Sequence, residues 1–519
     1  MLFTTLEFCV FLAVLVALYY LLPKKAQWCI LLLASGVFYA LLARRRIVFM
    51  GISVVSTWLT AQGLAALHTR EKAALLPLSD KAAKAQAKKP YIRKRQMLLA
   101  LFLLINLGGL FVFKFYNITA QAANGLLPKL NLLAPIGISF YTLQIIGYVM
   151  DVYHKKVKAE PNLFKTALFT MFFPQIIEGP IARYDALAPQ LYAERHFEYD
   201  RFVLGLQRML WGYFKKLVIA DRFHVIVSTV FTAYSEYKGF EIALVAVLYT
   251  VQLYADFSGG IDIARGAAEL FGISLAENFK RPFFAKSVSE FWRRWHITLG
   301  AWLRDYVFYP VTLSRPLAKT GKWLKNHCGA WAGKWIPAYI ALFILWLCNG
   351  VWHGDGLQYI AFGLYHGTLI MLGMSFEPLF AKGRAWAHIK GSEWWWKLFC
   401  VLRTFAFVCY GELIFRSSSL ADAWGMTKQL FAAWNPEVLA NGFLFTLGLD
   451  VPDVVVGLLA IGVLLVAELC DRQNGLRTWV YTRALPLRWG ILLGGIAAVV
   501  LFGIYGPSYD PAPFIYFKF

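Results

Sequence analysis

Apolar segments recur along nearly the whole chain, and no other feature constrains its fold as strongly. A helix needs about 20 mostly apolar residues to cross the hydrocarbon core of a bilayer. Lipid offers the backbone no hydrogen-bond partners, so such segments satisfy their own N–H and C=O groups as helices. Charged residues make up only 16% of the chain, whereas a soluble domain carries about 25%. The sequence therefore predicts an all-α, polytopic membrane protein.

Ten segments are the strongest predicted membrane helices: Leu6–Leu22, Ile47–Leu67, Met97–Phe113, Pro135–Val152, Phe240–Phe257, Trp335–Val351, Leu357–Met374, Trp396–Ile414, Val454–Leu469 and Trp489–Tyr505. Three weaker segments are Trp28–Leu42, Phe164–Ile177 and Phe202–Ala220. Together they predict roughly 10–13 membrane helices, some short and re-entrant, in one membrane-embedded domain over residues 1–519. The segment Met1–Leu22 lacks a basic start and a small-residue cleavage site, so we expect a retained helix rather than a signal peptide.

The net charge of +22 is explained most simply by the membrane surface. Lys and Arg concentrate in cytoplasmic loops and at helix ends, where they face anionic lipid headgroups. No nucleic-acid-binding motif accompanies the charge, so we expect no nucleic acid partner. The seven cysteines form no CxxC pair or other close spacing. We therefore expect neither a disulfide framework nor a metal site, and no bound cofactor.

The segment His68–Gln96 is the clearest signal of orientation. It contains nine Lys and Arg residues against two acidic ones. The positive-inside rule therefore predicts that this segment is a cytoplasmic loop.

The stretch Asn278–Pro310 combines charged and aromatic residues, which excludes a regular lipid-exposed span. Projected at about 100° per residue, residues 292–307 form an amphipathic helix. Its aromatic face contains Trp292, Trp295, His296, Leu299, Trp302, Leu303 and Tyr306. Its polar face contains Arg293, Arg294, Thr298, Arg304 and Asp305. We predict a re-entrant or interfacial element here.

His353 is the strongest candidate for chemistry, because ionisable residues inside membrane segments are functional candidates by default. It ends an apolar helix at a break that contains Gly354 and Gly356. Asn349 lies four residues earlier, on the same helical face. A neutral histidine at this place can take a proton from an attacking hydroxyl. The alternative is a histidine that only caps the helix end.

Two further histidines lie in apolar surroundings. His296, on the aromatic face described above, can orient or polarise an acyl thioester, or can be a packed, hydrogen-bonded core residue. His366, in the middle of the next predicted helix, is interpreted as structural. The polar residues Gln175 and Glu178 lie between Pro174 and Pro180, a pattern typical of a broken helix that lines a cavity.

Six stretches, in order along almost the full length, resemble the membrane-bound O-acyltransferase family of the bacterial alginate O-acetylation type. They are Gly137–Gln144, Pro174–Arg183, Asp256–Asp262, Phe291–Tyr306, Trp352-His353-Gly354 with Tyr365-His366-Gly367, and Pro513–Phe519. No single stretch is specific, but six in order are hard to obtain by chance.

The resemblance implies the family's fold, with helices around a central funnel, and a location in the cell inner membrane. It implies that His353 is catalytic, that His296 is the second family histidine, and that Asn349 and Trp352 support them. It also implies an acyl-CoA, in particular acetyl-CoA, or an acyl-carrier thioester as the donor, reached from the cytoplasm. The expected partner is a periplasmic or membrane-anchored acetyltransferase that places the acyl group on an extracytoplasmic polysaccharide.

Four basic residues are candidates for binding the donor's phosphates or an acidic carrier surface: Arg293, Arg294, Arg304 and Lys280. The alternative is contact with lipid headgroups. His353 would act as a general base or as a transient acyl acceptor, and the sequence does not separate the two mechanisms.

Two other functions compete with acetyl transfer. One is D-alanyl transfer in teichoic-acid modification, within the same family. The other is a transporter or flippase without chemistry, whose usual signature is an inverted repeat with paired broken helices. The chain contains broken helices but no sequence symmetry between its halves.

The predicted cytoplasmic position of His68–Gln96 can be tested by cysteine labelling. A cysteine introduced by Ala85→Cys should react with a thiol reagent that enters cells and not with an impermeant one, because the positive charge keeps this segment inside. Labelling of intact cells by the impermeant reagent would contradict the orientation.

Overall fold

A computed structural model describes residues 2–122, 128, 134–470 and 475–505. Over these residues the protein is helical, with one isolated β-bridge and no strand. The helices are α1 Leu6–Leu21, α2 Gln27–Ala43, α3 Ile47–Leu75, α4 Lys81–Ala122, α5 Ile138–Tyr153, α6 Leu163–Met171, α7 Phe173–Ile176, α8 Tyr184–Tyr192, α9 Tyr199–Tyr213, α10 Asp221–Thr232, α11 Phe240–Glu269, α12 Val288–Arg294, α13 Ile297–Leu303, α14 Tyr309–Thr312, α15 Arg315–His353, α16 Leu357–Trp386, α17 Trp394–Arg416, α18 Leu420–Leu430, α19 Val451–Cys470, α20 Leu476–Tyr481 and α21 Leu485–Phe502.

Shorter helical turns connect several of these elements. Two turns with π-helical geometry are Phe214–Ala220 and Arg304–Phe308. Six 3₁₀ turns are Lys24–Ala26, Arg44–Arg46, Tyr234–Glu236, Pro282–Phe284, Pro436–Leu439 and Phe443–Thr446. The predicted family stretch Pro513–Phe519 lies outside the described residues.

Each of the ten strongest predicted membrane segments overlaps a helix over most of its length, which confirms the all-α membrane fold. Among the described residues, eight helical segments are long and apolar enough to cross a membrane: Lys24–Leu75, Lys81–Asn117, Phe240–Glu269, Arg315–His353, Leu357–Trp386, Trp394–Arg416, Val451–Cys470 and Leu485–Phe502. The first of these contains both α2 and α3, and α1 is a shorter apolar helix. The protein is a multi-pass membrane protein.

The polarity of the basic segment His68–Gln96 suggested a loop, but most of the segment is helical. Helix α3 continues to Leu75 and α4 begins at Lys81, so both helices extend into the charged stretch. Ala and Lys are favourable helix formers, and a buried ion pair between Glu71 and Arg95 joins the two helices. Charge marks this stretch as outside the lipid but does not end a helix.

The described residues group into two compact units, one of Met1–Leu206 with Ala264–Ala276 and one of Gln207–Ile263 with Glu277–Phe519. In the first unit, five phenylalanines pack with ring centroids 4.9–6.5 Å apart. They are Phe3 before α1, Phe8 and the half-buried Phe11 of α1, Phe38 of α2 and Phe173 of α7. The predicted break near Pro174 is present, because α6 ends at Met171 and α7 begins at Phe173. Two buried amides close this break: Gln175 donates to Gln144 Oε1 at 2.5 Å, and Gln144 donates to the Phe169 carbonyl at 2.6 Å.

The second unit contains a buried network of charged side chains beside the π-helical turn Phe214–Ala220. Lys215 Nζ lies 2.7 Å from an Asp262 oxygen. Lys216 Nζ lies 2.6 Å from Asp256 and 2.8 Å from Asp221. Because each buried lysine faces a carboxylate, the charges compensate one another, which is the condition for burying them. The network fixes the turn to α11.

Helices α15 and α16 approach each other closely at glycines. A Cβ atom at Gly363 would overlap the carbonyl oxygen of Trp346 and lie 3.0 Å from the backbone nitrogen of Gly350. A Cβ atom at Gly350 would lie 2.5 Å from the carbonyl oxygen of Tyr359. This close packing sets the position of the end of α15, where His353 lies.

A larger side chain at Gly363 should prevent this packing. Gly363→Leu is expected to lower the amount of folded protein in the membrane, because the added atoms meet the backbone of α15. Gly373→Leu, in the same helix, is the matched control, since no atom lies within 4 Å of a Cβ atom at that position. Membrane protein levels and detergent melting temperatures provide the comparison; equal losses in both variants would contradict the packing argument.

Candidate functional site

The stretch Asn278–Pro310 is not a regular span, as predicted, but the predicted continuous amphipathic helix over 292–307 is wrong. Helix α12 ends at Arg294 and α13 begins at Ile297. His296, between them, has a φ of 45°, a left-handed conformation that is uncommon for a residue other than glycine. The chain then continues through the π-helical turn Arg304–Phe308. The break turns the backbone at the histidine itself.

Asn278 holds this break in place. Its carbonyl oxygen accepts a hydrogen bond from Ile297 N at 3.0 Å. Its side-chain oxygen accepts from the backbone nitrogen of Thr298 at 3.0 Å and from the Thr298 hydroxyl at 2.9 Å. These bonds satisfy N–H groups at the start of α13, which have no partner within the helix. The Phe279–Trp295 bridge adds a second backbone connection between the two segments.

The same asparagine fixes the tautomer of His296. His296 Nδ1 lies 3.3 Å from Asn278 Oδ1. Because that oxygen already accepts the Thr298 N–H, the ring nitrogen must be the donor. Nε2 is then the unprotonated nitrogen of the neutral ring. Burial lowers the pKa of His296 to about 3, so the ring is neutral at physiological pH.

His353 is the last residue of α15, before Gly354, as the sequence predicted. It is buried, and Asn349, one turn earlier, is buried too. Its imidazole packs edge-on against Phe415 of α17 at 5.1 Å and Phe362 of α16 at 5.7 Å between ring centroids. The glycine break therefore ends the helix inside the protein, with the histidine at its tip.

Trp352 brings the two predicted histidines together. Its indole lies 5.6 Å from the His296 ring and 4.9 Å from the His353 ring, centroid to centroid. Phe257 covers the His296 ring from α11 at 4.9 Å. Two imidazoles thus share one aromatic wall, an arrangement suited to an apolar acyl chain with a reactive polar end.

Gly354 permits a close approach of the Tyr359 ring. Its backbone is extended, which any residue adopts, but a Cβ atom there would overlap the Tyr359 ring. Tyr359 packs on Phe415 at 5.2 Å, and Phe415 packs on His353. A side chain at Gly354 would therefore disturb the support of His353.

The four predicted donor-binding residues lie at or near the surface of this region. Arg294 pairs with Glu290 at 2.6 Å and Arg304 pairs with Asp305 at 3.1 Å. Arg293 donates to the Ser289 hydroxyl at 3.1 Å. The Lys280 backbone nitrogen donates to the Arg294 carbonyl at 2.9 Å, which brings Lys280 beside α12. Their role in donor binding stays a prediction.

Sequence reasoning missed several residues around the site. Asn278 was only the boundary of a segment, and nothing local marks its partner 18 residues away. Glu412, which is buried in α17, is an acidic residue inside a predicted span, a recognisable signal that was not used. The buried lysines Lys215 and Lys216 were also overlooked within a weaker predicted span.

The sequence profile described as the membrane-bound O-acyltransferase family matches residues 98–411. This match contains α11 to α16 and therefore both histidines of the site.

Curated relatives resemble the chain over most of its length. It is 31% identical to the "Probable alginate O-acetylase AlgI" of Pseudomonas aeruginosa over 436 residues, which cover 81% of this chain and 73% of the relative. It is 30% identical to the protein of the same name from Pseudomonas putida, with 98% of each chain covered. It is 32% identical to the "Teichoic acid D-alanyltransferase" of Bacillus subtilis, covering 56% of this chain and 70% of the relative.

The buried neutral His296 makes stability depend on pH. Below about pH 6.5, the ordinary histidine pKa, the unfolded chain takes up a proton that the folded chain cannot bind until about pH 3. Stability is therefore lost as pH falls, by up to about 1.4 kcal/mol per pH unit from this site. His296→Asn, which tolerates the left-handed backbone, should show a shallower fall in melting temperature between about pH 6.5 and pH 5. Parallel falls in both proteins would contradict this origin.

Proposed function

Because this chain belongs to the membrane-bound O-acyltransferase family, we propose that it takes an acetyl group from a cytoplasmic thioester and passes it across the membrane for O-acetylation of an extracytoplasmic polysaccharide. The protein is a multi-pass membrane O-acyltransferase. The single observation that carries the mechanism is the pairing of His296 and His353 across Trp352.

In the proposed reaction His353 is the general base. One of its ring nitrogens takes the proton of an acceptor hydroxyl as the oxygen attacks the thioester carbonyl. The C–S bond then breaks, the thiolate leaves with the electron pair, and the proton passes from His353 to that sulfur. Asn349 and Trp352 position the imidazole. A covalent acyl-histidine would divide the transfer into two steps at the same atom.

His296 has the second role. Its Nδ1 donates to Asn278, so its Nε2 is an acceptor in the neutral ring. An acceptor orients a hydroxyl but does not polarise a carbonyl oxygen, which needs a donor. The sequence predicted that His296 orients or polarises the acyl thioester. The tautomer argues against polarising, and we propose instead that Nε2 orients the attacking hydroxyl.

The donor is proposed to be acetyl-CoA or an acetylated carrier, bound through phosphate or acidic groups. Support comes from the exposed basic residues Lys280 and Arg293 at α12 and Arg304 after α13, together with the half-buried Arg294. Arg294 and Arg304 are already paired with carboxylates, so each would have to leave its carboxylate in order to bind the donor. Lys280 and Arg293 are therefore the first positions at which to measure donor affinity.

The acceptor is proposed to be a polysaccharide such as alginate, reached through a periplasmic or membrane-anchored acetyltransferase partner at the inner membrane. The alginate-type relatives match 81–98% of this chain, compared with 56% for the D-alanyltransferase of Bacillus subtilis. D-alanyl transfer with a carrier-protein donor is the second candidate, supported by that shorter match. Membership of an enzyme family decides against a transporter without chemistry.

Replacement of His353 tests the mechanism. His353→Ala is expected to lower transfer by about 10²–10⁴-fold, the usual loss for a general base, while membrane protein level stays near that of the wild type. His296→Ala should be impaired less. The measurement is polymer-bound acetyl per unit of membrane protein in cells that lack their own acetylase.

The matched control for both is His327→Ala, since His327 is an exposed histidine of α15. Wild-type acetylation by a well-expressed His353→Ala protein would remove the proposed base. Incorporation of D-alanine instead of acetate would select the second candidate.

A further inference from the structure

His366, interpreted from sequence as structural, occupies an unusual environment in α16. Its side chain is completely buried. Four aromatic rings surround it with centroids 4.8–6.1 Å away: Phe362, Trp292, Tyr365 and Trp346. Within the described part of the chain neither ring nitrogen has a hydrogen-bond partner. Buried polar groups of this kind are rarely left unsatisfied, so the histidine requires an explanation.

A second polar group lies beside it on α17. The Nε2 atom of His366 faces Gly411 so closely that a Cβ atom there would overlap it. Glu412 is the next residue; its side chain is 1% exposed, and its Oε2 atom also lacks a partner among the described residues. Two unsatisfied polar side chains thus lie on neighbouring helices, near the point where those helices touch at Gly411.

This environment continues into the site of His353. One phenyl ring, Phe362, contacts both imidazoles, at 4.8 Å from His366 and 5.7 Å from His353. On α17, Phe415 lies three residues after Glu412, on the same helical face, and contacts His353 at 5.1 Å. His366 therefore lies one aromatic ring away from the proposed base, and Glu412 lies one helical turn before the other ring that contacts it.

We propose that His366 and Glu412 form a binding site for a hydroxyl group next to His353. A neutral imidazole offers one donor and one acceptor, and a carboxyl group adds another polar contact. The small ligand that meets such a set in an aromatic environment is a hydroxyl, from the acyl acceptor or from water. A phenylalanine would fill the same space without the free-energy cost of burying two unpaired ring nitrogens. Binding of a ligand to those nitrogens explains why a histidine is present. The proposal rests on the acyl transfer proposed above and adds the position of the attacking group.

The test uses shape-preserving variants of the full-length protein. His366→Phe keeps the ring and removes both nitrogens, whereas His366→Gln keeps a donor and an acceptor. Polymer-bound acetyl is expected to fall about tenfold or more in the Phe variant, as for loss of a buried hydrogen bond, and the Gln variant should retain more than the Phe variant. His327→Phe is the control for histidine replacement at an exposed position. Wild-type acetylation by His366→Phe, or a Gln variant no better than Phe, would overturn the proposal.

Melting temperature in detergent gives a readout that does not depend on the proposed function. Removal of unsatisfied nitrogens should leave His366→Phe at least as stable as the wild type, even as activity falls. A lower melting temperature would mean that the fold itself satisfies the ring, and would also overturn the proposal. If the proposed function itself is wrong, the wild type adds no acetyl to polymer. The melting temperatures would then still show whether the fold satisfies the nitrogens of His366.

The source of the hydroxyl is distinguished with acetyl-CoA alone. Purified protein is incubated with acetyl-CoA in the absence of polymer, and release of free thiol reports hydrolysis. If the site holds the acceptor hydroxyl, His366→Phe hydrolyses acetyl-CoA at the wild-type rate while polymer acetylation falls. If it holds water, both rates fall together. Either result upholds a hydroxyl site and identifies its occupant.

Discussion

The hydrogen bonds accepted by Asn278 are the interaction on which the geometry of the site depends. A backbone that leaves the helix inside a membrane protein must find internal partners, because lipid supplies none. At His296 the chain leaves the helix in a left-handed conformation, and the main-chain and side-chain oxygens of Asn278 accept the bonds that make this turn possible. The same side chain fixes the tautomer of His296. One residue thus determines both where the imidazole points and which nitrogen is basic.

The sequence predicted the helices well and the break poorly, for one physical reason. Apolar length is a local property, so each strong span could be read from about 20 neighbouring residues. The helical periodicity, however, continues through Trp295 and His296, and the bonds that interrupt it come from Asn278, which is distant in sequence. Likewise, charge indicated that His68–Gln96 lies outside lipid but said nothing about its helicity, since Lys and Ala are favourable in helices.

The sequence could indicate which residues are candidates for the site, but not how the fold arranges them. The Gly-rich break marked His353, and the resemblance to an acyltransferase family added His296 and Trp352. That Trp352 contacts both imidazoles follows from the crossing of α15 and α16, which glycines at positions 350 and 363 permit. Such close approaches involve pairs of residues on different helices, and no single segment reveals them. Glu412 is the exception, because a carboxyl group inside an apolar segment is a visible signal.

Two sets of buried polar groups in the second unit differ in whether an opposite charge faces them. Lys215 and Lys216 each face carboxylates at 2.6–2.8 Å, so their charges are compensated within the protein. A compensated network rigidifies the fold and has little to offer a ligand. His366 and Glu412 instead retain polar atoms without partners among the described residues, and the Phe362 ring that contacts His366 also contacts His353. Burying such atoms lowers stability, and a protein tolerates that loss most readily where a substrate group completes the bonds. The contrast agrees with the proposed site, whose reactive groups lie on α15, α16 and α17, while the compensated charges join α11 to the π-helical turn.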